Sequence, residues 1–491
     1  MHQALHIFKK DFRHLSYEIS LVLLFAMAFA ATHLRSPHAF LNDSWLPQIF
    51  WFIGAASLVG RVVLAEAIPG DRQFWITRPY RWKSLLGAKL LFIIAFVNLP
   101  ILLAQICIVL IAGFPLGPSI PGLLWVQLLL FAFVLPFVAF ATLSTNKLFQ
   151  LILFALAVLL WGLASATGSG ALSGVGWISG YVAFILLLAS GVVILWIQYQ
   201  SRRTVLSRWL AAGGLTISTV FLSTIPWTLA FALQSHLSKQ NTLGTSLQVG
   251  LSHTPVETFW PAQLKPKVVL HIPVSVEGIP DGTELQPDGL AIAFEGSEGR
   301  KDELNPPDCA NLKRASISAT AATISALCEI DPSFFQSQHG RRVTLRGTFY
   351  FTLFGNAQSQ TVSLSSQPSN APAGLQCYED AARAGWDVYC QSAFRWPDRL
   401  VYAKLGNTTP NSFAQFVSYS PFPADLNIEP VVTRWASDYA YGPAPVVNDV
   451  TIIVEEPLAH LHRDFEARAV QLEQFVYSPV KVGSPPVRGI P

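Results

Sequence analysis

The chain has 491 residues, 51% of them hydrophobic and only 13% charged. Soluble domains average about a quarter charged residues, so this composition excludes an ordinary soluble protein and indicates a membrane protein. The net charge of +3 conceals a division near His236, because residues 1–235 carry a net +9 and residues 236–491 a net −6. The first part reads as a polytopic α-helical membrane domain. The second is long enough for one or two soluble domains with cores of their own.

In Ala4–Leu15, ALHIFKKDFRHL, the residues Leu5, Phe8, Phe12 and Leu15 recur at helical spacing, while His6, Lys9, Lys10 and Arg13 take much of the other surface. The pattern predicts a short amphipathic helix over 1–16 on the inner leaflet, its basic groups over anionic lipid. His2 and His6 stand one helical turn apart and read as part of the same interfacial helix. A bilayer crossing needs about 20 apolar residues. Seven segments qualify: Tyr17–Leu34, Trp45–Glu66, Lys89–Phe114, Gly122–Leu143, Leu148–Ala166, Trp177–Tyr199 and Trp209–Ser235. The fifth is the least distinct, since STNKLFQ leaves it only a tight turn from the fourth. Ala28-Phe29-Ala30 also has the form of a signal-peptidase site, although the apolar run continues past it.

Loop charge sets the orientation. Thirteen basic residues, among them Lys9, Lys10, Arg13, Arg61, Arg72, Arg78, Arg81, Lys83, Lys89 and Arg208, gather on one side of the seven segments, against Arg35 alone in the short loops of the other. The expected topology therefore has a cytoplasmic N-terminus and an extracytoplasmic C-terminal half. Arg61 and Glu66 lie near the inner end of the second segment, where Arg snorkels and Glu reaches the headgroups. Asn98, Gln105 and Gln127 are polar groups at mid-membrane. They either bond between helices or line a substrate path.

Residues 67–89 join the second and third segments and contain DRQFWITRPYRWKSLLGAK. Pro79 disfavours helix at Arg78, whereas Tyr80–Lys89 can run directly into the next helix. Phe74, Trp75 and Trp82 suit an interface, and the basic groups suffice as topology determinants. The phrase FWITRPYRWKSLLGAKLL also resembles the cytoplasmic segment of type-2 ABC transporter permeases, which has the form F-W-L-T-R-P, a basic patch, then S-L-L-x-x-K-L-L. Phe74, Trp75, Thr77, Arg78, Pro79, Ser84, Leu85, Leu86, Lys89, Leu90 and Leu91 match, and Ile76 replaces a leucine. The interfacial helix before the first crossing is similar too. The resemblance covers about residues 1–235. It implies a coupling element docked on a separate P-loop ATPase, with Phe74, Trp75, Thr77, Arg78, Pro79, Arg81, Lys83 and Lys89 at the contact. It further implies ATP and Mg on that partner subunit, and a homodimer or a pairing with a similar permease. This chain has no G-x-x-x-x-G-K-[ST] of its own. The family's minimal permease has six crossings, so the seventh and the outer half are additions.

Four of the five cysteines, Cys309, Cys328, Cys377 and Cys390, lie in the outer half, as disulfides predict. Close spacing favours Cys309–Cys328 and Cys377–Cys390. Alternation at Val268, Leu270, Ile272, Val274 and Val276 predicts a strand. Val343, Leu345, Phe349, Phe351 and Leu353 predict a second, with Gly347 keeping the phase, and Val450–Val454 a third. GIPDG and QPDG read as turns. The expected organisation is a linker over 236–261, a β-sandwich-like domain over 262–366, a second mixed region over 375–477 after SSQPSNAPAG, and a mobile tail over 478–491. No H-E-x-x-H or G-x-S-x-G occurs. His460 and His462 read as surface histidines rather than metal ligands. No catalytic constellation is visible. Two functions remain: a permease subunit of an exporter, and a membrane-anchored extracytoplasmic binding or assembly protein.

Overall fold

The computed structural model describes residues 2–35, 45–65, 81–143, 176–201, 203–236, 246–252, 268–296, 299–317, 321–363, 369–379, 387–393, 400–405, 413–415, 417–418, 430–437 and 449–476. The chain divides into two compact units. One comprises Met1–Gly168, Trp177–Ile225 and Gln358–Val454; the other comprises Ser169–Gly176, Pro226–Ala357 and Glu455–Pro491.

The first unit begins with α1 (His2–His14), α2 (Ser16–Arg35) and α3 (Trp45–Leu64). Helix α4 (Trp82–Ile93) runs through a π-helical segment, Ile94–Asn98, into α5 (Leu99–Ile111), and α6 (Leu116–Thr142), α7 (Gly176–Ser201) and α8 (Thr204–Thr224) follow. Trp82–Lys89 runs into the next helix as read, but Arg81 is extended and Tyr80 lies outside the described residues. Pro100 accounts for the π segment. Its nitrogen cannot donate to the Phe96 carbonyl and its ring crowds that oxygen, so the backbone widens and Leu99 N–H bonds back to Ile94 O instead. Helix α6 contains Pro121 and Pro136. A Cβ on Gly191 of α7 would come within 3.1 Å of the Pro136 backbone, so a small residue permits this close approach. Val22, Trp51, Leu58, Phe92, Ile101 and Val138 belong to the shared apolar core.

The count of seven crossings is not supported among the described residues. Among the described residues three helices are long and apolar enough to cross a membrane: Trp82–Ile111, Leu116–Thr142 and Val182–Ser201. A fourth is reached if α1 and α2, bent by 78° where the amphipathic stretch gives way to the apolar one, count as one broken span. The second expected segment supplies only the shorter apolar helix Pro47–Val63. The fifth lies outside the described residues. The seventh is split: α8 ends at Thr224, and Pro226, which has no N–H to continue the ladder, separates it from a new helix.

The second unit holds that helix, α9 (Trp227–His236), and α10 (Pro332–Ser337). Its strands are β1 (Gln248–Leu251), β2 (Val268–Glu277), β3 (Glu284–Glu295), β4 (Lys301–Leu304), β5 (Cys309–Ile317), β6 (Ala321–Ile330) and β7 (Arg342–Ser363), the last ending in the first unit. The remaining strands are β8 (Ser369–Ala371), β9 (Leu375–Glu379), β10 (Asp387–Ala393), β11 (Leu400–Leu405), β12 (Phe413–Gln415), β13 (Val417–Ser418), β14 (Val431–Ser437) and β15 (Asp449–Gln471). They form three sheets of order β1-β2-β6-β5, β12-β11-β15-β7-β3-β4 and β13-β14-β10-β9-β8. The region after α9 is thus mostly β.

Two layers enclose the core of the second unit. Leu270, Ile272, Val274, Ile324 and Ala326 come from one sheet and Leu290, Ile292, Phe294, Leu345, Phe349 and Phe351 from the other. Burial stabilises by about 1.5–3 kcal/mol for each such large side chain. The disulfides Cys309–Cys328 and Cys377–Cys390 join residues that face each other across β5–β6 and β9–β10. A one-residue slip of either strand would separate its pair. Gly347 does more than keep phase: the Phe465 ring lies where its Cβ would be. GIPDG is a turn, with Gly278 and Gly282 at φ of 78° and 71°. QPDG is not. It forms a bulge within β3, where the register with β7 shifts between Pro287 and Gly289. The SSQPSNAPAG stretch, expected to be a linker, contributes β8, paired with β9.

Candidate functional site

The best-defined polar constellation of the first unit begins on α1. Ile7, Asp11 and Leu15 repeat every four residues and form its buried face. Two of these are apolar; the third carries a charge. The Lys89 ammonium meets it, with Nζ 2.7 Å from Asp11 Oδ2 and both side chains only 1% exposed. At the start of α1, the Arg81 backbone N–H donates to Gln3 Oε1 at 3.4 Å. Both contacts span 78 positions, so α1 and α4 run in the same direction side by side. Aromatic rings close the contact. Phe8 meets Phe92 edge-on at 5.8 Å and stacks on Phe96 at 5.7 Å, and Phe12 stacks on Phe96 at 5.5 Å.

The outer surface of α1 is basic. His6, Lys9, Lys10 and Arg13 are exposed, as is Leu5. Phe12, read with Leu5 and Phe8 as interfacial, keeps part of its ring exposed while it stacks on Phe96. Arg81 and Lys83 are exposed, and the Lys83 ammonium stands 5.6 Å from the Trp82 ring centroid. Phe74, Trp75, Thr77, Arg78, Pro79 and Glu66 lie outside the described residues. Arg61 is ion-paired with Glu18 of α2, which holds α3 against α2.

Nine residues beyond Lys89, the π segment ends on Asn98. The structure gathers all three polar groups read at mid-membrane. Asn98 Nδ2 donates to the Gln127 carbonyl oxygen at 3.1 Å and to Gln127 Oε1 at 3.2 Å, and Gln127 Nε2 donates to Gln105 Oε1 at 2.8 Å. All three side chains are buried. Of the two readings, the bonding between helices is the one these contacts display. Asn98 Oδ1 is buried without a hydrogen-bond partner among the described residues. The chain of amides carries no net charge and no acid or base. Chemically it fixes α5 against α6 and can exchange partners.

No family model matches this chain, and no curated protein matches it.

A second polar cluster fastens α9 to the β-layers of the second unit. Trp227 stacks on Phe231 at 5.2 Å and meets Tyr350 edge-on at 4.6 Å. Gly289, at the β3 bulge, has no Cβ because the Trp227 ring would lie 2.8 Å from it. Beside the rings, Thr352 Oγ1 donates to Asp288 Oδ2 at 2.6 Å and lies 2.7 Å from His460 Nδ1. Gln234 Nε2 lies 3.2 Å from His460 Nδ1 and 3.3 Å from Nε2, so the ring's donor and acceptor roles follow its tautomer. The contacts tie α9 to β7 and β15 through His460. His460 is partly buried, while its neighbour His462 is exposed. No group of His, Cys, Asp and Glu able to hold a metal occurs among the described residues.

Sequence reasoning singled out Asn98, Gln105 and Gln127 but passed over Asp11, Thr352 and Asp288, and it placed Lys89 at the contact with a partner ATPase, whereas the side chain is buried against Asp11 with 1% exposed. Asp11 had a signal: it is the one acid in a helix whose same-face neighbours at four-residue spacing are Ile7 and Leu15. Thr352 and Asp288 had none, since their pairing depends on the register of β3 with β7.

Proposed function

We propose that this chain is the permease subunit of an ABC-type exporter, working as a homodimer or with a similar permease and driven by a separate P-loop ATPase that binds ATP and Mg. The single observation that carries the reading is the buried Asp11–Lys89 pair. Lys89 is the last basic residue of the phrase that resembles a permease coupling segment, and it is fixed to the amphipathic helix α1. A force applied to residues 67–80 would therefore move α1 and α4 together. The three long apolar helices support placement in a membrane. The basic bias of the inner loops supports a cytoplasmic N-terminus, and two disulfides support an extracytoplasmic C-terminal half, as in a bacterial inner membrane facing an oxidising compartment.

A membrane-anchored binding or assembly protein is the second reading, favoured by the separate core and the disulfide of the β-region. One experiment separates the two. The tagged chain is extracted gently from its host and its bound proteins are identified by mass spectrometry, beside an Arg78→Glu/Arg81→Glu variant. A P-loop ATPase that copurifies with the parent and is lost from the variant upholds the permease. Recovery of outer-side proteins with no ATPase overturns it in favour of the anchored protein.

A further inference from the structure

The π segment Ile94–Asn98 is held from both sides. Phe96 lies under the Phe8 and Phe12 rings of α1, and Asn98 is bonded to Gln127 of α6. It also stands between the Asp11–Lys89 pair and the amide chain. A π turn is a helix with one residue too many for its length. It persists where something compensates, and such segments recur at moving parts of proteins. Here Pro100 disfavours the regular helix without forbidding it, because a kinked α-helix also accommodates proline. Asn98 Oδ1 has no hydrogen-bond partner among the described residues, so the amide is only half satisfied where it stands.

We propose that Ile94–Asn98 is a two-state switch whose π form is held by the grip of α1 on Phe96, and whose reversion to α-helix turns α5 and withdraws Asn98 and Gln105 from Gln127. Taking up the surplus residue rotates everything beyond it by one residue step, about 100°. The interhelical amide bonds cannot survive such a turn. Motion of α1 and α4 at the inner end is thereby converted into release of α5 from α6 in the middle of the bundle. The inference deepens the permease reading by supplying its internal transmission, but it concerns this chain alone and its test needs no ATPase.

A native reporter is already in place. Cys107 on α5 is the one free cysteine, and it is exposed. One extra residue step of winding carries it to the direction now held by Ile108, which is 4% exposed. The full-length chain is reconstituted in lipid nanodiscs, and the rate of Cys107 modification by a membrane-permeant maleimide is measured for the parent, Pro100→Ala and Phe8→Ala/Phe12→Ala. Pro100→Ala restores the missing donor and favours the α form directly. Phe8→Ala/Phe12→Ala leaves the Asp11 and Lys89 side chains in place and removes both rings that grip Phe96. The expected result is a slowing of roughly tenfold in both variants, which corresponds to the exposed π form falling from most of the population to about a tenth of it. Slowing in Pro100→Ala alone would overturn the coupling to α1. An unchanged rate in both would overturn the switch and leave the π segment a fixed distortion. Loss of the folded chain in Pro100→Ala leaves Phe8→Ala/Phe12→Ala to decide by the same readout, and an unchanged rate there overturns the proposal. An exporter ATPase that never copurifies would end the permease reading and leave this measurement standing.

Discussion

Asp11 and Lys89 show how one buried pair divides into a cost and a function. Removing two charges from water costs several kcal/mol per ion, and a 2.7 Å contact offsets it only while both partners remain. Asp11→Asn is therefore expected to destabilise the folded chain by about 3–5 kcal/mol, because Lys89 keeps its charge in an apolar surround. The double variant Asp11→Leu/Lys89→Met should recover most of that loss. Denaturant unfolding in detergent, followed by tryptophan fluorescence, measures both; a double variant no better than the single would show that the pair is not the source of the effect. In the β-region, Glu284 offers a residue-scale test in pH. Burial, and after it the Glu455 carboxylate, pushes its carboxyl up from the ordinary 4.5 to about 8. Between these values the folded state holds a proton that the unfolded chain has released, so stability is full below about 4.5 and is lost as pH rises through about 8. The unfolding midpoint of the second unit should fall across that window, and Glu284→Gln should flatten the slope. A slope unchanged by Glu284→Gln would place the dependence on another group.

At the scale of elements, the division of the last apolar segment matters most. Trp209–Ser235 is apolar enough throughout to read as one crossing, and hydropathy alone gives no reason to stop at Thr224. Pro226 stops it, and α9 then finds a partner that no window of sequence contains: Tyr350 on β7 and His460 on β15. Trp227 is 5% exposed in that contact. Trp227→Ala is expected to cost about 3–5 kcal/mol, in line with large-to-small truncations in cores. Hydrogen exchange should locate the loss in α9 and the neighbouring stretches of β7 and β15. Exchange unchanged in those strands would mean that α9 is not fastened there. The QPDG bulge makes the same point in small. Pro, Asp and Gly are turn residues by propensity, but a bulge uses the same dihedral freedom, and which one forms is decided by the strand alongside.

Across the whole molecule, the two disulfides belong to different cores, Cys309–Cys328 to that of the second unit and Cys377–Cys390 to a small β-strand cluster of the first, separate from its helical core. Each closes a short loop, of 19 and 13 residues respectively, and its removal should cost about 2–4 kcal/mol. Limited proteolysis of Cys309→Ser/Cys328→Ser and Cys377→Ser/Cys390→Ser should therefore open different regions. Identical cleavage patterns from the two variants would show that the cores fail together. By itself the sequence determined whatever depends on neighbours along the chain. The apolar composition, the amphipathic face of α1, the alternation in β2 and β7 and the closely spaced cysteine pairs are all local patterns, set by 3.6-residue and two-residue periods and by short loop closure. The number of long apolar helices, the meeting of Asp11 with Lys89, the joining of Asn98, Gln105 and Gln127, and the seat of α9 on the β-layers were decided only by the tertiary structure. Those contacts pair residues tens to hundreds of positions apart. Which of them form depends on helix breaks at proline, on strand register and on how buried polar groups find partners, and no local period encodes these.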